Sequence, residues 1–219
     1  INNALRTYLP LLLALSTSSP FYEGEDTGLH SYRTKIFEAL PLAGMPDYLN
    51  DWNHFENLTE QLQNAGIINS VKDLWWDVRP HPGFGTVEIR VCDIPINYKA
   101  ILCLVALIQA LVVTLAKKNF SSDTHIQILQ SNKWQAARYG LEGVFVDPKT
   151  IRKTTMRKAI ENLYTLVEPA VNSLGSTKYV KKIEEILNQG TGSTKQRKLY
   201  NGSKNFEYML KSLKDLFYQ

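Results

Sequence analysis

Residues 74–93 read LWWDVRPHPGFGTVEIRVCD, and the fold turns on how this stretch divides. The runs 74–79 and 86–93 are rich in Trp, Val and Ile, while Pro80, Pro82, Gly83 and Gly85 punctuate the gap. That pattern predicts two strands joined by a turn. Side chains alternate along a strand, so Glu88 and Arg90 share one face, roughly 7 Å apart, and Val87, Ile89 and Val91 share the other. Asp77 and Arg79 share a face on the first strand. If the two faces coincide, one side of the hairpin carries two acids and two arginines over an apolar underside. Spacing leaves two readings open. The wet face of an amphipathic antiparallel sheet carries cross-strand ion pairs as a matter of course. Alternatively, the carboxylates hold a divalent cation and the arginines hold phosphate oxygens.

Outward from the hairpin, the next stretch to weigh is 99–118, with a nearly unbroken apolar run at 100–116. Its length lies at the lower limit for a membrane span. Gln109 at its centre, the lack of a second such run and a nearby sheet that needs covering favour a buried core helix. Residues 123–139 form a further helix bearing Asn132, Trp134 and Arg138, closed by Gly140. A short strand follows at 143–146. Upstream, 3–15 is an apolar helix that Pro10 should kink or divide. Its charge and small-residue flank faintly mimic a signal peptide, against which Pro10 and the absent start methionine argue. Residues 20–29, PFYEGEDTGL, form an acidic, glycine-bearing loop. Ser31 fits the N-cap of a short helix ending near Leu40. That places Arg33 in its first turn, where a cation opposes the helix dipole and is either solvated or set for an anion. An amphipathic helix at 51–65 stops at Gly66.

From Lys153 onward three helices are expected, at about 153–173, 177–188 and 194–218. The break at 190–197, GTGSTKQR, reads as a flexible linker, since neither its spacing nor a preceding strand makes a P-loop. Charge is uneven along the chain. Residues 1–148 hold 11 Lys/Arg against 15 Asp/Glu, a net of −4, and residues 149–219 hold 14 against 6, a net of +8. Such a basic region could bind nucleic acid, but its lysines are scattered over helical patterns without an aromatic platform, which favours a solvated surface. The 219 residues suffice for one sizeable core. Cys92 and Cys103 make no disulfide framework and fit reduced thiols in the cytoplasm. No nucleophile–base pair is evident, and His30, His54, His81 and His125 lack metal spacing. The residues themselves therefore lead to an α+β domain with one polar sheet face, and to no named reaction.

A resemblance adds what pattern cannot. LPLLLALSTSSPFYEGEDTGLHSYRTKIFEALPLAGMP at 9–46 resembles the signature of the type 2 glutamate–cysteine ligase family. So do the hairpin stretch, NKWQAARYGLEGVFVD at 132–147 and GTGSTKQR at 190–197. The motifs occur in the family's order and span essentially the whole chain. Only the C-terminal part of the family's length is represented. The resemblance implies an ATP-dependent carboxylate–amine ligase of the glutamine synthetase-like superfamily. Its fold would be α+β: an antiparallel sheet whose polar concave face binds ATP and Mg2+, helices packed behind, and a helical C-terminal region. Residues 1–148 would belong to the catalytic domain and 149–219 to its basic helical end. Glu88 matches the metal ligand and Arg90 the ATP-phosphate partner. Arg33, in Ser31-Tyr32-Arg33, is the candidate for the amino-acid substrate's carboxylate. Arg138, Gln196 and Arg197 stand at motif positions associated with the cofactor. Tyr22 replaces a frequent Trp, and Gly83 a frequent larger side chain. The implied partners are small amino-acid substrates, an N-terminal half carrying further metal-binding glutamates, and a second copy in a homo-oligomer. Neither nucleic acid nor membrane is expected as a partner.

Overall fold

The computed structural model describes residues 1–117 and 124–218. The expected helix start at Asp123 and the helix end at Lys118 lie outside the described residues. The chain is α+β. Its first helix is divided as Pro10 requires, into α1 (Asn2–Arg6) and α2 (Leu9–Ser16), with the proline in the first turn of α2 where no helical N–H is needed. Every residue of α2 is buried. A small hairpin follows, β1 (Phe21–Tyr22) with β2 (Glu25–Asp26), and then α3 (Tyr32–Glu38). Ser31 occupies the N-cap position of α3, but its hydroxyl bonds Thr34 and Asp93 instead of a helix N–H.

After β3 (Ala43–Gly44), α4 (Trp52–Asn64) starts at Asp51, whose carboxylate accepts from the His54 N–H at 2.7 Å. It stops before Gly66, where φ is +68°. The hairpin is shorter than its sequence run. Its first half splits into β4 (Trp75–Trp76) and β5 (Val78–His81), and only β5 pairs with β6 (Thr86–Ile89). β4 pairs in parallel with β3 instead. Asp77 is the hand-over point: its N–H donates to Gly44 O, and its carbonyl accepts from the Arg90 N–H. A single turn at Pro82–Phe84 closes the hairpin, with Gly85 left-handed at φ +61°. Among the described residues every sheet is two-stranded, so the antiparallel sheet expected here is a hairpin in extent.

The long apolar run is α5 (Tyr98–Lys117), and it packs against α7 (Met156–Ser173), α8 (Thr177–Val180) and α9 (Lys182–Gln189). By length and composition it would pass for a membrane span. Cys103, Leu107, Ala110, Leu111 and Leu115 nonetheless lie inside the protein, as a core helix requires. α6 (Ile126–Tyr139) ends at Gly140 and leads to β7 (Val144–Val146). β7 pairs with β8 (Lys153–Thr155), which was expected to begin a helix. Thr155 then caps α7 by accepting from the Lys158 N–H. One continuous core joins residues from Ala4 to Ile186, with the hairpin's Val78, Val87 and Ile89 packed on it.

Further expectations about the C-terminal region change, and the helix expected at 177–188 is divided into α8 and α9. The stretch 190–197 is no open linker. Gly190, at φ +87°, ends α9, and α10 (Gly192–Ser203) begins two residues later. The single helix expected at 194–218 is broken at Lys204, whose φ of +51° no helix continues. Asn205 then caps α11 (Phe206–Leu216).

Candidate active site

In the β5–β6 register Arg79 faces Glu88, so the next pair outward sets Asp77 against Arg90. The two polar faces therefore coincide. Arg79 is almost wholly buried, at 3% exposure. Its Nη1 donates to the carbonyls of Val71 and Leu74, and its Nε and Nη2 donate to Glu88 Oε2 at 3.1 and 2.7 Å. Arg90 Nη1 donates to the other oxygen, Oε1, at 2.6 Å. Glu88 is thus held between two guanidiniums. Burial alone would raise its pKa, but the bonds and charges of Arg79 and Arg90 outweigh burial and hold it below the ordinary value. An open cleft of about 380 Å³ lies over this face, bordered by Lys72, Trp75, Arg79, His81, Glu88 and Arg90. A larger cavity of about 910 Å³ involves Pro80 and Val87, which alternate with Arg79 and Glu88 and so point to the opposite face. It is mostly apolar and contains none of the candidate residues.

Arg33 of α3 lies beside this face without bordering the cleft, lining with Phe37, Trp75 and Arg90 a separate small pocket. Its Nη2 donates to Arg90 O at 3.2 Å, and its guanidinium lies 4.6 Å over the Phe37 ring. Asp93 lies beneath it, 3.9 Å from Nη1. This carboxylate is 3% exposed. It accepts from Ser18 N–H, Ser19 Oγ and Ser31 Oγ at 2.8–2.9 Å. Ser19 Oγ in turn accepts from the Arg33 N–H. A second pin is Lys133 of α6, which is 1% exposed and donates to Asp77 at 2.5 Å while pairing with Glu38 at 2.7 Å. Burial pushes Asp77 up despite Lys133, whereas at Glu38 the charges of Lys133 and Lys35 outweigh burial and hold the carboxyl below its usual range. Neither Asp93 nor Lys133 was singled out from sequence. A helical spacing was there to find Lys133, because it shares the buried face of α6 with Leu129, Ala136 and Ala137.

Arg138, Gln196 and Arg197 form a different cluster, around the acidic loop. Arg197 grips Asp26 through Nε and Nη2, at 2.9 and 2.7 Å, and also donates to Leu29 O. Gln196 Nε2 donates to the carbonyl and hydroxyl of Ser18. Arg138 lies against Gly28, where a Cβ would collide with its guanidinium. Among these groups sits His30, whose Nδ1 bonds Ser193 Oγ at 2.7 Å. Burial, then the neighbouring Arg197, lower its pKa to about 4, with Arg138 adding to the effect. Ser193 continues into Thr17 and Thr191, a set of buried hydroxyls that locks the start of α10 to the end of α2. The two clusters meet at Ser18-Ser19 and Asp93.

The family model described as glutamate-cysteine ligase family 2 (GCS2) matches residues 1–212. The chain belongs to this family. A relative from Gloeobacter violaceus bearing the name "Putative glutamate–cysteine ligase 2" is 42% identical over 207 residues, covering 93% of this chain and 56% of that protein. Proteins of the same name from Solibacter usitatus and Sorangium cellulosum are 37% and 35% identical. They are matched over 91% and 96% of this chain and over 53% and 57% of their own lengths. The chain therefore spans little more than half the length of these curated family relatives.

Family membership raises the question of ATP and magnesium. The arginines suit phosphate oxygens, because guanidinium forks match such groups. A magnesium site fits less well. Among the described residues no three His, Cys, Asp or Glu side chains gather into a ligand set. Both oxygens of Glu88 are already engaged by arginines. Octahedral coordination asks for more oxygens than this one carboxylate can offer. Burial pushes the Cys92 and Cys103 thiols up to about 12, away from the thiolate form.

Proposed function

We propose that this chain forms part of an ATP-dependent carboxylate–amine ligase, with the hairpin face as the ligand-binding side of its site. The observation that carries the reading is the pairing of Arg90 with ionised Glu88 on one cleft-bearing face, with Arg33 bonded to the Arg90 carbonyl beside it, in a chain of the glutamate–cysteine ligase 2 family. Amines do not attack a carboxylate directly at neutral pH. ATP would supply the phosphoryl group that turns the carboxylate into an acyl phosphate, and amine attack would then expel phosphate and leave an amide. In this scheme Arg90 holds phosphate oxygens and Arg33 holds the substrate's carboxylate. Both act by position and charge, the means on which phosphoryl transfer chiefly relies. Glu88, with both oxygens engaged by arginines, keeps Arg90 extended over the cleft.

Oxygens for a magnesium ion would come from the substrates, from water and from the part of the family's length outside the match. That part and a second copy of the chain are the proposed partners, and the cytoplasm the proposed location. The test is ADP release across a panel of amino acids. It is run with the 219-residue chain alone, and again with the remaining part of a family member added. Amino-acid-dependent ADP release only in the mixture is expected. Full turnover by the pure, monomeric chain would show that its own carboxylates suffice and would overturn the division of the site.

A further inference from the structure

Between Arg33 and Arg90 lie two aromatic rings that the proposed chemistry does not use. The Arg33 guanidinium sits 4.6 Å over Phe37, Phe37 stacks on Trp75 at 5.4 Å with 26° between the rings, and the Arg90 guanidinium sits 4.8 Å over Trp75. The result is one continuous stack: cation, ring, ring, cation. Its members come from two elements. Arg33 and Phe37 are one helical turn apart on α3, so they share a face. Trp75 is fixed in β4, whose N–H bonds tie it to the β3 segment just after α3. The Lys133 contacts to Glu38 and Asp77 hold α3 to the strand from beneath.

We propose that Phe37 and Trp75 are positioning residues that couple the two guanidiniums, so that an anionic ligand held by one prepares the other. This rests on the ligase reading, in which Arg90 addresses the nucleotide phosphates and Arg33 the amino-acid carboxylate. An arginine carries several rotatable bonds, and ordering it costs binding energy. A guanidinium stacked on a ring loses that freedom beforehand. Because the rings touch each other, fixing one end of the stack restrains the other end. A second ligand then meets an arginine already ordered, which is positive cooperativity without a large conformational change. Phe37 is the informative position. It touches both Arg33 and Trp75, and with Arg33, Trp75 and Arg90 it lines a small pocket beside the 380 Å³ cleft. The Arg33 Nη2 bond to Arg90 O involves no ring and remains available when Phe37 is replaced.

The experiment is calorimetric titration of the whole protein with glutamate, with and without a non-hydrolysable ATP analogue, in wild type, Phe37→Leu and Phe37→Tyr. In wild type the analogue is expected to tighten glutamate binding by about fivefold or more, the lower end of ordinary coupling. Phe37→Leu should bring that factor close to one, and Phe37→Tyr, which keeps a ring, should restore most of it. Trp75→Leu, with Trp75→Phe as its ring-keeping control, serves if Phe37→Leu does not fold. Wild-type coupling retained in the leucine variant overturns the inference, and so does equal loss in leucine and tyrosine variants with a common fall in melting temperature. Wild type that binds both ligands independently also overturns it, while leaving the ligase reading standing. Wild type that binds neither ligand overturns the ligase reading itself, and the coupling with it.

Discussion

The hairpin face and the acidic-loop cluster carry similar side chains but use them differently. On the hairpin, Arg90 and Glu88 are partly exposed beside a cleft, while the buried Arg79 is spent on holding them. Around the loop, Arg197 and Gln196 have donors committed to Asp26, Leu29 and Ser18. Both stretches belong to motifs of one family, yet Arg90 and Glu88 border the 380 Å³ cleft while Arg197 and Gln196 turn to protein partners. A motif position can therefore be retained for the architecture around a site as readily as for the ligand. The difference lies in whether the tertiary structure leaves the charge facing open space.

The largest effect expected from breaking this contrast is at Lys133. Lys133→Met leaves Asp77 and Glu38 beside each other without their shared cation, and should cost about 3–5 kcal/mol in chemical denaturation. A loss below about 1 kcal/mol would mean that the pin between α3 and the hairpin contributes little. Next is Glu88→Gln, which keeps shape but removes the charge between Arg79 and Arg90. Sequence alone would regard it as neutral for the fold. The buried Arg79 now argues for a destabilisation of about 1–3 kcal/mol alongside the loss of turnover. Unchanged stability with lost turnover would confine Glu88 to chemistry.

The loop side can be sharpened by pH. His30 is neutral in the fold down to about 4, against an ordinary value of 6.5. Between those values the unfolded chain takes up a proton that the folded one refuses. Its contribution is thus complete above 6.5, shrinks as pH falls through the window and is gone below 4. His30→Gln should flatten the stability profile between pH 4 and 6.5, and a profile with the wild-type slope would place the titration elsewhere. The smallest effect belongs to Arg197→Ala. Its ion pair with the exposed Asp26 should be worth about 1 kcal/mol or less by thermal unfolding.

Local signals in the sequence foretold much of this. Pro10 divides the first helix, Asp51 and Gly66 bound α4, and strand alternation puts Glu88 and Arg90 on one face, because each depends on neighbouring residues alone. What escaped was non-local. Nothing in Trp75-Trp76 says that its partner is Ala43-Gly44, and the β-branched Thr154 and Thr155 are too short a run to stand out against the helical pattern after them. Lys204 breaks the last helix in a left-handed conformation that usually signals glycine. At the site, Asp93 and Lys133 acquire meaning only when α3, α6 and the hairpin are brought together. A buried charge is identified by its partners, and these lie between 56 and 95 residues away: Ser18, Ser19, Ser31, Asp77 and Glu38.

The central claim is that the hairpin face, and not the loop cluster, receives the nucleotide. Calorimetric titration of the ATP analogue into Arg90→Ala and Arg197→Ala tests it most directly. Arg90→Ala should weaken binding by about 2–5 kcal/mol, as for a charge-assisted contact shielded from water. Arg197→Ala should stay within about twofold of wild type, since its guanidinium acts on Asp26 and Leu29. Wild-type affinity in Arg90→Ala together with a large loss in Arg197→Ala would contradict the account and move the nucleotide to the start of α10.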